Sequence, residues 1–279
     1  MSELRPHAQG APRPALAIRD LTVDFKRRSG LLRTVDNVSL DVWPKEIVGV
    51  IGESGSGKTM TALSAMRLLP YGAQIGGSIE LGGRDIVNLS EPEMRALRGD
   101  RIALIPQDAM QALNPTMRIG RQVGEPYEFH RKQPYRAIWA KVVELLRAVK
   151  IPDPEVRVRE YPHQFSGGMQ QRAMIATGLA LDPELIIADE PTTALDVTVQ
   201  ARILKLLRDI RDDRGSAILF ITHELGIVAE LCDWVYVMKD GKVVEDGPVA
   251  RIFTAPRADY TRMLLEATPS IHRRKEARR

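Results

Sequence analysis

The eight residues Gly52-Glu53-Ser54-Gly55-Ser56-Gly57-Lys58-Thr59 have the types and the spacing to hold a polyphosphate. They fit G-x-x-x-x-G-K-[ST], in which glycines let the backbone curl until its N–H groups point inward at phosphate oxygens. Lys58 can then reach the β- and γ-phosphates, and the Thr59 hydroxyl can ligate a magnesium ion. A Gly-rich turn that binds nothing could carry the same letters, so the flanking pattern matters. The apolar run Glu46–Ile51 comes before the loop, and Met60–Leu69, with helical periodicity, comes after it. This is strand, loop, helix, with the positive end of the helix facing the same anion. The chain is therefore expected to bind a nucleoside triphosphate.

Three further stretches bear on what the triphosphate is for. Leu185-Ile186-Ile187-Ala188-Asp189-Glu190 ends a buried strand in two carboxylates, on the side where an open α/β sheet holds its ligand. Asp189 is suited to hold magnesium through its water shell, and Glu190 to take a proton from the attacking water. General-base help of this kind contributes about 10²- to 10⁴-fold in rate. Phe165-Ser166-Gly167-Gly168-Met169 opens a helix with a serine and two glycines, a second helix end suited to phosphate. If the two phosphate-binding ends lie on different subdomains of one chain, they cannot easily aim at one nucleotide, whereas two chains facing head to tail can. In Ile221-Thr222-His223-Glu224, His223 stands at a strand end, where it could reach a γ-phosphate; alone it could equally cap or pack against a helix.

The elements that must position these residues are legible from periodicity. Ala17–Phe25 and Thr34–Val42 alternate as half-buried antiparallel strands, separated by a turn at Arg27 to Gly30. Gly76–Gly83 is a short strand closed by a Gly turn, Glu91–Leu97 a small helix and Arg101–Ile105 a buried strand. From Asp108 to Gln164 the pattern is helical, with prolines 115, 126, 134, 152, 154 and 162 as breaks, and it reads as an insertion into the sheet domain. The helix opened by Ser166 is expected to run to Leu181. A central strand at Leu185–Ala188, a helix at Val197–Ile210, a strand at Ala217–Ile221 and a helix at Glu224–Leu231 follow. Trp234–Met238 and Lys242–Glu245, joined through Asp240-Gly241, form a hairpin. No internal repeat is visible.

Whole-chain numbers narrow the class. The 279 residues, 44% hydrophobic and 27% charged, can bury a substantial core. The formal net charge is +4, and the last eight residues, with five basic and one acidic side chain, account for all of it. The remainder is formally neutral and shows no basic stripe with interleaved aromatics, so nucleic acid is not expected as a partner. A solvated tail is the simplest reading of the basic end, and an anionic membrane surface is its best-fitting functional partner. A single cysteine, Cys232, allows no disulfide within the chain and no Cys-ligated cluster; it is expected to pack as a small hydrophobe. Residues 1–15, expected to be a disordered N-terminal lead, have no signal-peptide core, and no window approaches the roughly 20 apolar residues of a membrane span. The expected location is the cytosol, with any membrane link made through a partner.

Taken together, residues 16–255 resemble the ATP-binding subunit of an ATP-binding-cassette (ABC) transporter, with every motif in order. The resemblance implies an α/β P-loop NTPase fold of RecA-like parallel-sheet core, an antiparallel β subdomain and an inserted α-helical subdomain at about 108–180. Residues 256–279 would be a short C-terminal extension. Gly52, Glu53, Ser54, Gly55, Ser56, Gly57, Lys58, Thr59 and Met60 would hold ATP as the Walker A region, and Asp189 with Glu190 would be the Walker B pair. Ser166, Gly167, Gly168 and Met169 resemble the signature motif that completes the partner's site. Gln107 resembles the Q-loop glutamine that senses magnesium, so Thr59, Gln107 and Asp189 are the implied metal set. Ala194-Leu195-Asp196 resembles the D-loop, and His223 the switch histidine. Phe25 falls where the family stacks an aromatic on adenine, with Val35 beside it, although strands favour aromatic residues in any case.

Gln107-Asp108-Ala109-Met110-Gln111-Ala112-Leu113-Asn114-Pro115 and Tyr161–Met169 are similar to the dipeptide, oligopeptide and nickel importer branch. There Met commonly takes the last signature position, as Met169 does here. The branch implies ATP hydrolysis with magnesium, a heterodimer with a second ABC ATPase, two transmembrane permeases and an extracytoplasmic solute-binding protein. Its members lie on the cytoplasmic face of the membrane through the permeases. The branch implies an importer of dipeptides or oligopeptides; Ala255–Thr261 resembles the start of a cysteine-bearing extension of peptide importers, but no cysteine follows, which raises nickel, a metal chelate or another small solute as the alternative cargo. A soluble cassette ATPase acting on DNA or ribosomes would carry a long coiled-coil insert or two cassettes, and this sequence shows neither. A small-molecule P-loop kinase would leave Phe165–Met169 and His223 unexplained.

Overall fold

The computed structural model describes residues 13–27, 30–193 and 195–267. The expected N-terminal lead up to residue 12, the basic tail and Ala194 lie outside these described residues. In chain order the elements begin with strands Leu16–Arg27 (β1), Gly30–Val42 (β2) and Ile47–Ile51 (β3), helix Lys58–Met66 (α1), and strands Ala73–Leu81 (β4) and Arg84–Asp85 (β5). Next come Glu91–Leu97 (α2), Ile102–Ile105 (β6), Ala109–Ala112 (α3), Ile119–Arg131 (α4), Tyr135–Ala148 (α5), Pro154–Arg157 (α6) and a 3-10 turn at Pro162–Gln164. Gly167–Gly178 (α7), Leu185–Asp189 (β7) and Val197–Arg214 (α8) follow. The chain continues with Ala217–Thr222 (β8), Leu225–Leu231 (α9), Trp234–Lys239 (β9), Lys242–Pro248 (β10), Val249–Thr254 (α10) and Asp259–Glu266 (α11). Two compact units result: the chain up to Leu89 together with Ala217 onward, and Ser90–Ser216.

In the first unit, β1 pairs antiparallel with β2 and β4, and β5 extends the edge, giving the order β2-β1-β4-β5. The alternation seen in the sequence becomes its buried face: Ile18, Leu21, Val23, Val35, Val38, Leu40 and Val42 are all essentially inaccessible. A second sheet sets β3 between parallel β8 and β9, with β10 antiparallel on β9. All five residues of β3 are buried, which is why its sequence is continuously apolar rather than alternating. Asp240 and Gly241 join β9 to β10 with φ of 48° and 79°, the positive-φ pair that a tight two-residue hairpin requires. Helix α1 stops at Met66, short of the expected Leu69. Arg67 turns left-handed at φ 48°, and the Leu68 N–H bonds back to the Leu63 carbonyl at 2.9 Å.

The second unit pairs β6 with β7 in parallel and is otherwise helical. Ile119 and Val123 of α4 and Ile138, Val142 and Leu146 of α5 are buried. Gly120 admits the close approach of α4: a Cβ there would meet Val158 Cγ2 at 2.3 Å and the Tyr135 hydroxyl at 2.4 Å. Pro126, expected as a break, lies inside α4. The ring removes one backbone donor, and the buried apolar stripe carries the helix through that loss. α7 ends at Gly178, before the expected Leu181, whereas α8 continues to Arg214 and is capped by Gly215 at φ 73°.

The C-terminal helices α10 and α11 were not foreseen, and a single carboxylate ties them down. Glu245 of β10, 7% exposed, accepts the N–H groups of Arg257 at 2.9 Å and Ala258 at 3.0 Å and pairs with Arg251 at 3.1 Å. Burial pushes this carboxyl up, but the two N–H groups and the Arg251 charge outweigh it and hold the carboxyl below its usual range. A carboxyl with a lowered folded pKa stabilises the fold above its unfolded pKa, and that contribution is lost as pH falls through the folded value. We predict that Glu245→Gln lowers the unfolding midpoint at neutral pH and flattens its decline in acid, as measured by thermal melts from pH 7 to pH 3. Parallel wild-type and variant curves would disprove the clamp.

Candidate functional site

The loop between β3 and α1 is shaped for phosphate. Gly52 has φ 154°, and a Cβ on it would meet the Met238 carbonyl oxygen at 2.2 Å. Gly57, the N-cap of α1 at φ 101°, would set a Cβ 2.8 Å from the Thr34 carbonyl oxygen. These two glycines are fixed by backbone neighbours on either side, so the curl of the loop is enforced rather than merely permitted. The same neighbours bond to it: Gly241 N–H donates to the Ser56 carbonyl at 3.1 Å, and Asp36 N–H to the Gly241 carbonyl at 2.8 Å. Strand β2, the β9–β10 turn and the loop are thereby laced together.

Lys58 is buried at 6% exposure, and its ammonium donates to the Gly52 carbonyl at 2.8 Å and the Glu53 carbonyl at 2.9 Å. The Ser56 hydroxyl is buried and has no hydrogen-bond partner among the described residues. Glu53, Ser54, Gly55 and Thr59 are exposed, and Met60 is half-buried. A held cation, an unanswered hydroxyl and a helix N-terminus meet at one exposed loop, and this arrangement fits a phosphate. In the parallel register Ile51 lies opposite Thr222, which sets His223, exposed just past the end of β8, beside the start of the loop. Phe25 of β1 is half-buried, whereas Val35 is fully buried opposite Val23, so only Phe25 offers surface to a planar ligand.

The second unit brings another group together. Asp189 ends β7 and is 8% exposed. Glu190 follows in the left-handed region at φ 46°, where a side chain costs about 1–2 kcal/mol. Its Oε2 accepts from Gln107 Nε2 at 3.3 Å and from the Thr193 hydroxyl at 3.0 Å. Two of the expected catalytic residues, 83 positions apart, are thus in contact. Thr193 was missed, although the Pro-Thr-Thr run directly after the acidic pair was visible in the sequence. Ser166 caps α7, its hydroxyl accepting from Met169 N–H at 3.3 Å. Ser166 and Gly167 are exposed and Met169 half-buried, while Gly168 is pinned because a Cβ would meet Val199 Cγ1 at 2.5 Å. Asp196 caps α8 by accepting from Val199 N–H at 2.9 Å. Cys232 is buried as expected, and burial raises its thiol far above the usual range.

The family described as ABC transporter matches residues 35–193, a span that takes in the phosphate loop, Gln107, the serine-capped α7 and the carboxylate pair. The chain belongs to the ABC transporter family. It is 47% identical over 265 residues to a probable peptide ABC transporter ATP-binding protein of Sinorhizobium fredii, covering 94% of this chain and 79% of that protein. It is 46% identical to the oligopeptide transport ATP-binding protein OppD of Bacillus subtilis, over 92% of this chain and 72% of the relative. A probable D,D-dipeptide transport ATP-binding protein of Escherichia coli is also 46% identical, over 92% and 79%. Among solved structures, the ATP-binding cassette MJ0796 in a post-hydrolysis dimer bound to ADP and Pi superposes with a TM-score of 0.74 at 26% identity, covering 84% of this chain and 98% of that one. The fold is that of an ABC ATPase, α/β with mixed parallel and antiparallel sheets, and the protein binds and hydrolyses ATP. Among the described residues, no helix is long and apolar enough to cross a membrane.

Gly52 provides the direct test of the loop geometry. Gly52→Ala sets a methyl group against backbone at a φ that side chains rarely adopt. We expect it to weaken ADP binding by at least tenfold and to destabilise the fold by about 1–3 kcal/mol. Calorimetric titration and urea unfolding would show both, and wild-type affinity in the variant would disprove the enforced curl.

Proposed function

We propose that this chain is the ATP-hydrolysing motor of an importer for dipeptides or oligopeptides. The observation that carries this reading is the 46–47% identity to peptide and dipeptide transport ATP-binding proteins over more than nine-tenths of the chain. In this reading residues 16–255 are the nucleotide-binding domain, working as a heterodimer with a second cassette ATPase. Two transmembrane permeases and an extracytoplasmic solute-binding protein complete the assembly, and the chain sits on the cytoplasmic face of the membrane through the permeases.

The residues divide the work by their chemistry. Lys58 neutralises the β- and γ-phosphates, the loop N–H groups and α1 hold their oxygens, and Phe25 stacks on the base. Thr59 and Asp189, a hydroxyl and a carboxylate, are hard oxygen donors of the kind magnesium takes alongside phosphate oxygens, and Gln107 completes that set. When bound, magnesium would offset the charge that builds on the phosphates. Glu190 takes the proton of the attacking water, with Thr193 and Gln107 orienting its carboxylate, and His223 steadies the γ-phosphate. Ser166, Gly167, Gly168 and Met169 complete the partner's site, and Asp196 belongs to the loop that meets it.

We expect Glu190→Gln to leave ATP affinity within about threefold of wild type and to cut turnover by at least 10²-fold, since it removes the base and keeps the shape. Undiminished hydrolysis would dismiss Glu190 as the base. The transport reading has its own test. Affinity purification of the tagged chain from detergent-solubilised membranes, followed by mass spectrometry, is expected to recover two permeases and a second cassette subunit. Recovery of the chain alone, or with ribosomal or DNA-repair proteins, would overturn that reading.

A further inference from the structure

The segment after Ala255 reaches back to the phosphate loop. Tyr260, on the first turn of α11, is 7% exposed, and its hydroxyl oxygen accepts the Glu53 N–H at 3.1 Å. That N–H belongs to the Gly52–Glu53 peptide, whose carbonyl at Gly52 accepts from the Lys58 ammonium, as the Glu53 carbonyl does. One peptide plane is therefore gripped from both sides, by the phenol at its N–H and by the lysine at its C=O. The two grips reinforce each other, because an ammonium on the carbonyl polarises the peptide and makes its N–H a stronger donor.

We propose that Tyr260 is a positioning residue for the nucleotide site: its hydroxyl fixes the Gly52–Glu53 peptide so that its carbonyl stays turned toward Lys58 and the loop is pre-shaped for phosphate. The segment 256–261 thereby acts on nucleotide affinity from outside the loop. The rest of the geometry holds the phenol in place. Glu245 binds the N–H groups of Arg257 and Ala258 immediately ahead of α11, and the Lys239 ammonium lies over the Tyr260 ring, 4.9 Å from its centre. Burial raises the phenol above its usual pKa, and the Glu53 N–H only partly opposes this, so the group stays a neutral phenol near neutral pH. Without this contact the peptide would keep one grip and could rotate, and each nucleotide bound would have to re-order it.

The inference rests on the loop being the nucleotide site, and the test separates the two. Tyr260→Phe keeps the ring, its burial and the Lys239 contact and removes only the acceptor. We expect its affinity for ADP, titrated against the full chain, to fall about fivefold, the size of one lost hydrogen bond. The KM for ATP should rise by the same factor with kcat within twofold, and the melting temperature of the nucleotide-free chain should move by no more than about 4 °C. ADP affinity within twofold of wild type, or a loss confined to kcat or to stability, overturns the inference. Amide hydrogen exchange supplies a measurement that needs no variant: the Glu53 N–H of the nucleotide-free wild type should be protected, and free exchange there overturns the proposal as well. A wild-type chain that binds no ADP would overturn the loop assignment itself, and this inference with it.

Discussion

A buried ammonium must be answered by oxygen, and the first unit is arranged around that requirement. Lys58 lies almost wholly out of water, with its charge resting on the carbonyls of Gly52 and Glu53. Those carbonyls can face inward only if the chain curls through conformations closed to most residues, which makes Gly52 and Gly57 obligatory. The curl in turn needs walls, which β2 supplies at Thr34, β9 at Met238 and the hairpin at Gly241. Strands distant in sequence are therefore committed to one loop, whose Ser56 N–H donates to the Glu53 carbonyl at 3.2 Å and whose Glu53 N–H donates to the Tyr260 hydroxyl at 3.1 Å.

The acidic half of the chemistry lies in the other unit and solves a different problem. A carboxylate that is to take a proton must be aimed, and in the proposed role of Glu190 a left-handed backbone and donors that include Gln107 and Thr193 would do this. Its left-handed backbone at the end of β7 costs energy that a relaxed strand end would not. Gln107 and Thr193 then hold one carboxylate oxygen between them. The glutamine arrives from the end of β6 because β6 and β7 run in parallel, with Ile105 in register with Ala188.

What the sequence made legible follows from how local each determinant is. The strand–loop–helix at Ile47–Met66 and the Asp240-Gly241 hairpin are contiguous, and their backbone demands write themselves into residue type. Ser166 and Asp196 are caps, readable from a polar residue three positions ahead of the N–H it accepts. Periodicity located the helical insertion but misjudged Pro126, because the packing of Ile119 and Val123 decides whether that helix survives a missing donor. Val35 was placed beside adenine by the family resemblance, and its complete burial depends on its pairing with β1, which periodicity does not address. Gln107 against Glu190 and Tyr260 against Glu53 are contacts across 83 and 207 positions. Nothing in the spacing of residue types encodes such a pair, so only the folded chain reveals it.

The division of residues also explains why affinity and turnover should be separable quantities in this molecule. Lys58, the loop N–H groups and His223 belong to the first unit, while Asp189, Glu190 and Gln107 belong to the second. The first set consists of donors, which gain from a polyphosphate as soon as it is present. The second brings two carboxylates, which a polyanion repels unless a cation stands between them. In the proposed function, binding energy would originate with the donors, and the carboxylates would bear on turnover. A change confined to the loop should appear first in affinity, and a change confined to Glu190 first in rate. The phenol of Tyr260, an acceptor for the Glu53 N–H, belongs with the first unit, and in the proposed role it shapes the loop without touching an atom that reacts.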